Sequence, residues 1–243
     1  MNKTIIVFLI CAVLILGVII VVIEYFAPTT VTEKPKPNLT VDISPFIEAG
    51  CVKEKYYSSY YYLNCSSIKL EEKYSCDRIW PTKHLGGLTP RVPIVECTFW
   101  KKNWTADEGI LDKGCAAPIY NKYIVLSDGE FKLINNREEF KQFFAPVETP
   151  EEALSFAVAL TGSYPVYDIE IPSHYVVYVP EIEETYVKET SDGFVVHLFH
   201  HTICGCGPHP VYAVDYLVTR TGEVKEISRQ KIYEDPTDRI CAD

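Results

Sequence analysis

The sequence predicts a single N-terminal transmembrane helix followed by an α+β extracytoplasmic region. Three observations predict it: an uncharged apolar run at the amino end, eight cysteines beyond that run, and a carboxy-terminal half in which a capped apolar helix precedes alternating strands. The expected architecture is an antiparallel meander packed on a helix, preceded by a disulfide-rich β unit. The expected divisions are a cytoplasmic tip (1–4), an anchor (5–23), a proline-rich stalk (24–45), a cysteine-rich β unit (46–119) and an α+β domain (120–243).

Residues 5–23 read IIVFLICAVLILGVIIVVI without a charge. At a rise of about 1.5 Å per residue this run spans about 28 Å, close to the roughly 30 Å hydrocarbon core of a bilayer. A helix suits it because every backbone polar group is then bonded within the segment. A cleaved signal peptide has a shorter apolar region, about 7–15 residues, with small residues at the cut. Here Glu24-Tyr25-Phe26-Ala27 follows, and bulky Tyr25 stands where a small residue is needed. The reading is therefore an uncleaved anchor. Lys3 precedes the run and Glu24 follows it, so positive charge retained inside places the N-terminus in the cytoplasm and the rest outside.

The chain has 23 Lys and Arg against 33 Asp and Glu, a net charge of −10. Setting Lys3 aside leaves 22 against 33, or −11, for the part beyond the membrane. Such a surface disfavours nucleic acid, which requires a basic face. The expected partners are the membrane and a protein or glycan at the cell surface. Prolines at 28, 35, 37 and 45 make the following segment an extended stalk.

Cys11 lies in the anchor. Cys51, Cys65, Cys76, Cys97, Cys115, Cys204, Cys206 and Cys241 lie beyond it, an even number that suits disulfides in an oxidising compartment. Asn38, Asn64 and Asn103 head Asn-x-Ser/Thr acceptor patterns for glycosylation. For Asn64 the central residue is Cys65, itself a disulfide candidate. The tyrosines at 56, 57, 60, 61 and 62 offer a flat platform for sugar rings, against the plainer reading of a pleated strand with packed aromatics.

From Tyr120 the elements become readable. Tyr123 to Leu126 and Phe131 to Ile134 flank Asp128-Gly129, a tight-turn pair that marks a hairpin. Asn136 followed by Glu139 starts a short helix with Phe140, Phe143 and Phe144 on one face. Thr149-Pro150-Glu151-Glu152 is a capping box with proline at the first helical turn; the helix runs to Gly162, and its apolarity implies burial against a sheet. Strands are expected at 174–179, 185–189, 194–203, 211–219 and 223–233. A helix followed by such a meander is similar in shape to cystatin-like and nuclear-transport-factor-2-like rolls.

One cluster could carry chemistry. His200-His201-Thr202-Ile203-Cys204-Gly205-Cys206-Gly207-Pro208-His209 gathers soft ligands suited to zinc or copper. Neighbours on a strand point to opposite faces, so His200 and His201 cannot both reach one ion. The ligand set would be Cys204, Cys206 and His209 with His201 or His200. Alternatively, each cysteine bonds a distant partner, tying the hairpin tip to the amino-proximal unit and to the tail at Cys241, or the two form a Cys-x-Cys redox pair. Asp215, mid-strand among apolar neighbours, is either a buried carboxylate or a solvent-facing one. No phosphate loop, nucleophile elbow or His-Glu-x-x-His motif is present. The function expected is a membrane-anchored binding or surface-structural module without a reaction of its own and without a cofactor. The alternatives are a metal or thiol-redox protein at the Cys204/Cys206/His209 loop, and an envelope-polymer hydrolase.

Overall fold

The structure, a computed structural model, describes residues 36–57, 60–101, 108–115 and 117–242. They are mostly antiparallel β-sheet, with few helices and four disulfides. Residues 37–243 form one compact unit. The expected anchor at 5–23 lies outside the described residues; among these, no helix is long and apolar enough to cross a membrane.

The first sheet has six strands in sequence order: β1 (Val52–Tyr57), β2 (Tyr60–Asn64), β3 (Arg78–Pro81), β4 (Ile94–Trp100), β5 (Ile119–Ser127) and β6 (Glu130–Ile134). Strands β5 and β6 are the expected hairpin, with Asp128 and Gly129 both at positive φ (56° and 78°). The sheet runs on across residues 119 and 120, where the sequence suggested a boundary, because β4 pairs with β5 along its whole length. Short helices α1 (Ser44–Glu48) and α2 (Leu70–Tyr74) belong to the same region. Phe46 and Leu70 from these helices share a core with Leu63, Ile79, Val95 and Ile124 of the sheet. The bridges Cys51–Cys65 and Cys76–Cys97 lie inside that core.

Two further helices follow: α3 (Arg137–Phe144), capped by Asn136, and α4 (Pro150–Thr161). The capping box of α4 is complete: the Thr149 hydroxyl accepts the Glu152 N–H, and the Glu152 carboxylate accepts the Thr149 N–H. Gly162 ends α4 at φ 72°, a left-handed cap that favours glycine. Eight of the twelve α4 residues are buried. The helix was expected to cover one sheet, yet its core includes side chains of both. Phe156, Ala157 and Leu160 are in one cluster with Tyr123 and Val125 of β5 and with Val196, Leu198 and Val214 of the second sheet. The loop before β4 also closes on α4. The Gly87 N–H donates to the Ser155 hydroxyl at 3.1 Å, and a Cβ on Gly87 would stand 2.2 Å from the Glu151 carbonyl, so only glycine fits.

The second sheet has the order β7-β12-β11-β9-β8. These are β7 (Val176–Val177), β8 (Val187–Thr190), β9 (Gly193–His201), β11 (Val211–Val218) and β12 (Val224–Glu234). Gly205–Cys206 (β10) and Cys241–Ala242 (β13) form a separate two-stranded ribbon. The strand expected at 174–179 shrinks to two exposed residues, because Pro172 and Pro180 flank it and only Val176 and Val177 pair with β12. Thr185 is not yet in the ladder: its N–H donates to the Val166 carbonyl and its hydroxyl accepts the Val166 N–H. Leu39, within the span read as a stalk, is buried, and its carbonyl accepts the Gly86 N–H, so the fold takes in the end of that segment.

Candidate functional site

The Cys-Gly-Cys tip sits between β9 and β11, as the sequence placed it. Cys204 is bonded to Cys115 and Cys206 to Cys241. Two members of the ligand set Cys204, Cys206, His209 and His201 are thus held in disulfides, and a sulfur so held is not the thiolate that zinc or copper requires. Among the described residues, no group of three or more His, Cys, Asp or Glu side chains is placed to hold a metal ion. The strand alternation argued for the two histidines holds. His201 lines a cleft of about 430 Å3, whereas His200 turns the other way and its Nδ1 lies 3.1 Å from the Ser163 hydroxyl.

His209 has a partner the sequence did not reveal. Its Nδ1 lies 2.6 Å from Asp238 Oδ2, and its backbone N–H donates to the same oxygen. The Ile240 N–H donates to the other oxygen, and these bonds hold the Asp238 carboxyl below its ordinary range, the Ile240 N–H most strongly. Asp215 is likewise partnered. It stands opposite His197 across β11 and β9, with its Oδ1 2.7 Å from His197 Nδ1 and its Oδ2 accepting the Ser228 hydroxyl. Tyr186 stacks on the His197 ring at 4.9 Å. In both His–Asp pairs the remaining ring nitrogen, Nε2, is enclosed by protein and meets no hydrogen-bond partner among the described residues. In each pair the carboxylate fixes the imidazole through Nδ1, which sets the orientation of the ring.

The Ser163–His200 contact has no carboxylate behind it among the described residues. His200 Nε2 is 2.8 Å from the Thr202 hydroxyl, where a triad would have a carboxylate, and the Ser163 hydroxyl is shared with Tyr216 at 2.8 Å.

The most open chemistry lies on the first sheet. Side chains of directly paired residues share a face, which puts Glu54, Tyr62, Arg78, Trp80 and Glu96 on one side of β1–β4. The Arg78 guanidinium lies 4.5 Å from the Tyr56 ring centre, 5.1 Å from Tyr62 and 5.3 Å from Trp80. Tyr56 and Tyr62 meet the Trp80 ring edge-on at 5.2 Å and 6.1 Å. Glu54 has partners of its own: the Tyr62 hydroxyl and the Asn64 amide donate to its two oxygens. Those bonds, the tyrosine first, hold the Glu54 carboxyl below its ordinary range. Beside this shelf opens a cleft of about 470 Å3 whose walls include Tyr60, Lys83, Glu96, Lys113 and Tyr164. Lys83 sits 5.2 Å over the Tyr60 ring, and Lys113 is paired with Glu96 at 3.2 Å.

The acceptor asparagines differ in availability. Asn38 is exposed, and its oxygen accepts the Thr40 N–H. The Asn64 amide donates to Glu54 at 2.6 Å while its oxygen accepts the Ser66 N–H, and the next residue, Cys65, is bridged. Asn103 lies outside the described residues. No protein family matches this chain, and neither does any curated protein or any solved structure.

Proposed function

We propose that this chain is a membrane-tethered, extracytoplasmic recognition module that binds a partner at the cell surface and catalyses no reaction of its own. One observation carries the reading: all eight cysteines beyond Cys11 are paired in four disulfides. Two of these bridges, Cys115–Cys204 and Cys206–Cys241, join exposed residues, where cytosolic reductants would reach them. An oxidising space on the far side of a membrane suits this pattern. The apolar run at 5–23 supplies the tether, and Lys3 and Glu24 set its direction. The enclosed Nε2 atoms of both His–Asp pairs favour binding over catalysis.

The test is made on the full chain in cells. It is expected to stay with membranes through an alkaline wash, to be labelled on intact cells by an impermeant amine reagent, and to resist thiol alkylation beyond one cysteine until reduced. A chain recovered from the cytosol with its thiols free would overturn the proposal.

A further inference from the structure

We infer that the Arg78 shelf, with the neighbouring cleft, binds the carboxylate-bearing sugars of an acidic oligosaccharide. This rests on the reading of the chain as a recognition module and names the ligand class of that module. The chain is acidic overall, with a net charge of −10. Yet this face presents two cations, Arg78 and Lys83, that make no ion pair among the described residues: their contacts there are the faces of Tyr56, Tyr62, Trp80 and Tyr60. The acids on this face have partners of their own: Glu54 accepts from Tyr62 and Asn64, and Glu96 pairs with Lys113.

A guanidinium stacked among rings keeps its planar fork of donors and loses little freedom on binding, and that fork matches a carboxylate two bonds at a time. The rings supply the other half of the recognition. Sugar rings have an apolar face that lies flat on an aromatic one. Tyr56 is 44% and Tyr60 57% exposed, and Trp80 and Tyr62 are half-buried. A neutral sugar would use the rings and leave both cations unanswered. A free anion would use the cations and leave the rings bare. A uronic-acid unit uses both. The cleft beside the shelf, about 470 Å3, extends the same side of the sheet through Glu96 and Tyr123, which are paired across β4 and β5, so more than one sugar unit can be accommodated.

The test uses the full chain in detergent, with tetragalacturonate and a hyaluronan tetrasaccharide as acidic probes and maltotetraose as the neutral one, read by calorimetry and by tryptophan fluorescence. At least one acidic probe is expected to bind about tenfold or more tightly than maltotetraose. Binding should weaken as salt approaches about 1 M, where screening acts within about 3 Å. Arg78→Lys keeps the charge but loses the fork, and is expected to weaken binding about tenfold. Lys83→Ala, at an exposed position that the fold does not need, should weaken it in the same sense. Variants are compared only at unchanged melting temperature. Equal binding of acidic and neutral probes, no binding of either acidic probe, or full binding by both variants would overturn the inference. Any of these results from a membrane-held, oxidised chain overturns the ligand class alone; the recognition reading itself falls only to the localisation and thiol results described above.

Discussion

Replacing Cys115 and Cys204 together by alanine is the cleanest probe of what the bridges contribute. Both residues are exposed, so the change opens no cavity and leaves no buried thiol. What it removes is the cross-link that closes a span of 89 residues. In the chain-entropy account, closing about 89 residues restrains the unfolded chain by about 4.6 kcal/mol. The neighbouring Cys206–Cys241 bridge closes 35 residues, for which the same account gives about 3.8 kcal/mol. For a chain of this size each kcal/mol moves the melting temperature by about 2–4 °C, so the first double variant should melt about 10–15 °C lower. The second should lose slightly less, by about 0.8 kcal/mol. Urea unfolding of wild type and both double-alanine variants, followed by circular dichroism under non-reducing conditions, measures the two losses side by side. A loss below about 1 kcal/mol for Cys115/Cys204 would refute the reasoning. So would a clearly larger loss at Cys206/Cys241, because loop length would then not be the source of the stabilisation.

The remaining predictions concern local features. Thr149→Ala should cost about 1 kcal/mol, seen as a lower urea midpoint with an unchanged slope, since it removes one half of the α4 capping box. Acid should destabilise the fold through His84 and His200. Burial is the main cause that holds both imidazoles below their ordinary value, so their contribution is full above pH about 6.5 and is lost as pH falls through the depressed folded value. A melting temperature that falls from pH 7 to pH 5, with a shallower fall in His200→Asn, checks this; a flat profile refutes it. In a glycosylating host, peptide mass spectrometry should find Asn38 modified and Asn64 bare, because Asn38 is exposed whereas the half-buried Asn64 amide is bonded to Glu54 and followed by a bridged cysteine.

Legibility in the sequence followed the range of the interactions. The Thr149–Glu152 box and the Asp128-Gly129 turn were readable because every participant lies within four residues and the chemistry is backbone chemistry. The alternation argument for His200 and His201 also held, since it depends only on strand geometry. The fate of the cysteines was readable in part: compartment favoured bridges, and the tip was expected to be tied to the amino-proximal region and to Cys241. Helices α1 and α2 escaped because five residues give little more than one turn, too short for a periodic signal. The His209–Asp238 pair escaped because its partners are 29 residues apart, and Asp238 sits in a turn that looks like any polar turn. The placing of α4 against both sheets could not be read either. A helix apolar on nearly all sides says that it is enclosed, not by what. The Arg78 shelf depends on the registers of β1 with β2, of β2 with β3 and of β3 with β4, which no local pattern encodes.

The Cys51–Cys65 bridge has a mechanical consequence. A module tethered near Leu39 and loaded by a ligand at Trp80 would feel tension between those two points. Without the bridge, that tension would peel β1 from β2 one hydrogen bond at a time, the weakest way to load an antiparallel pair. With it, the pull passes from Cys51 to Cys65 through covalent bonds, and the β1–β2 segment between them carries no load. Cys76–Cys97 then fastens the approach to β3 onto β4, two strands further into the sheet than β2. Under such a load the rings of Tyr56 and Tyr62 would therefore keep their places around Arg78.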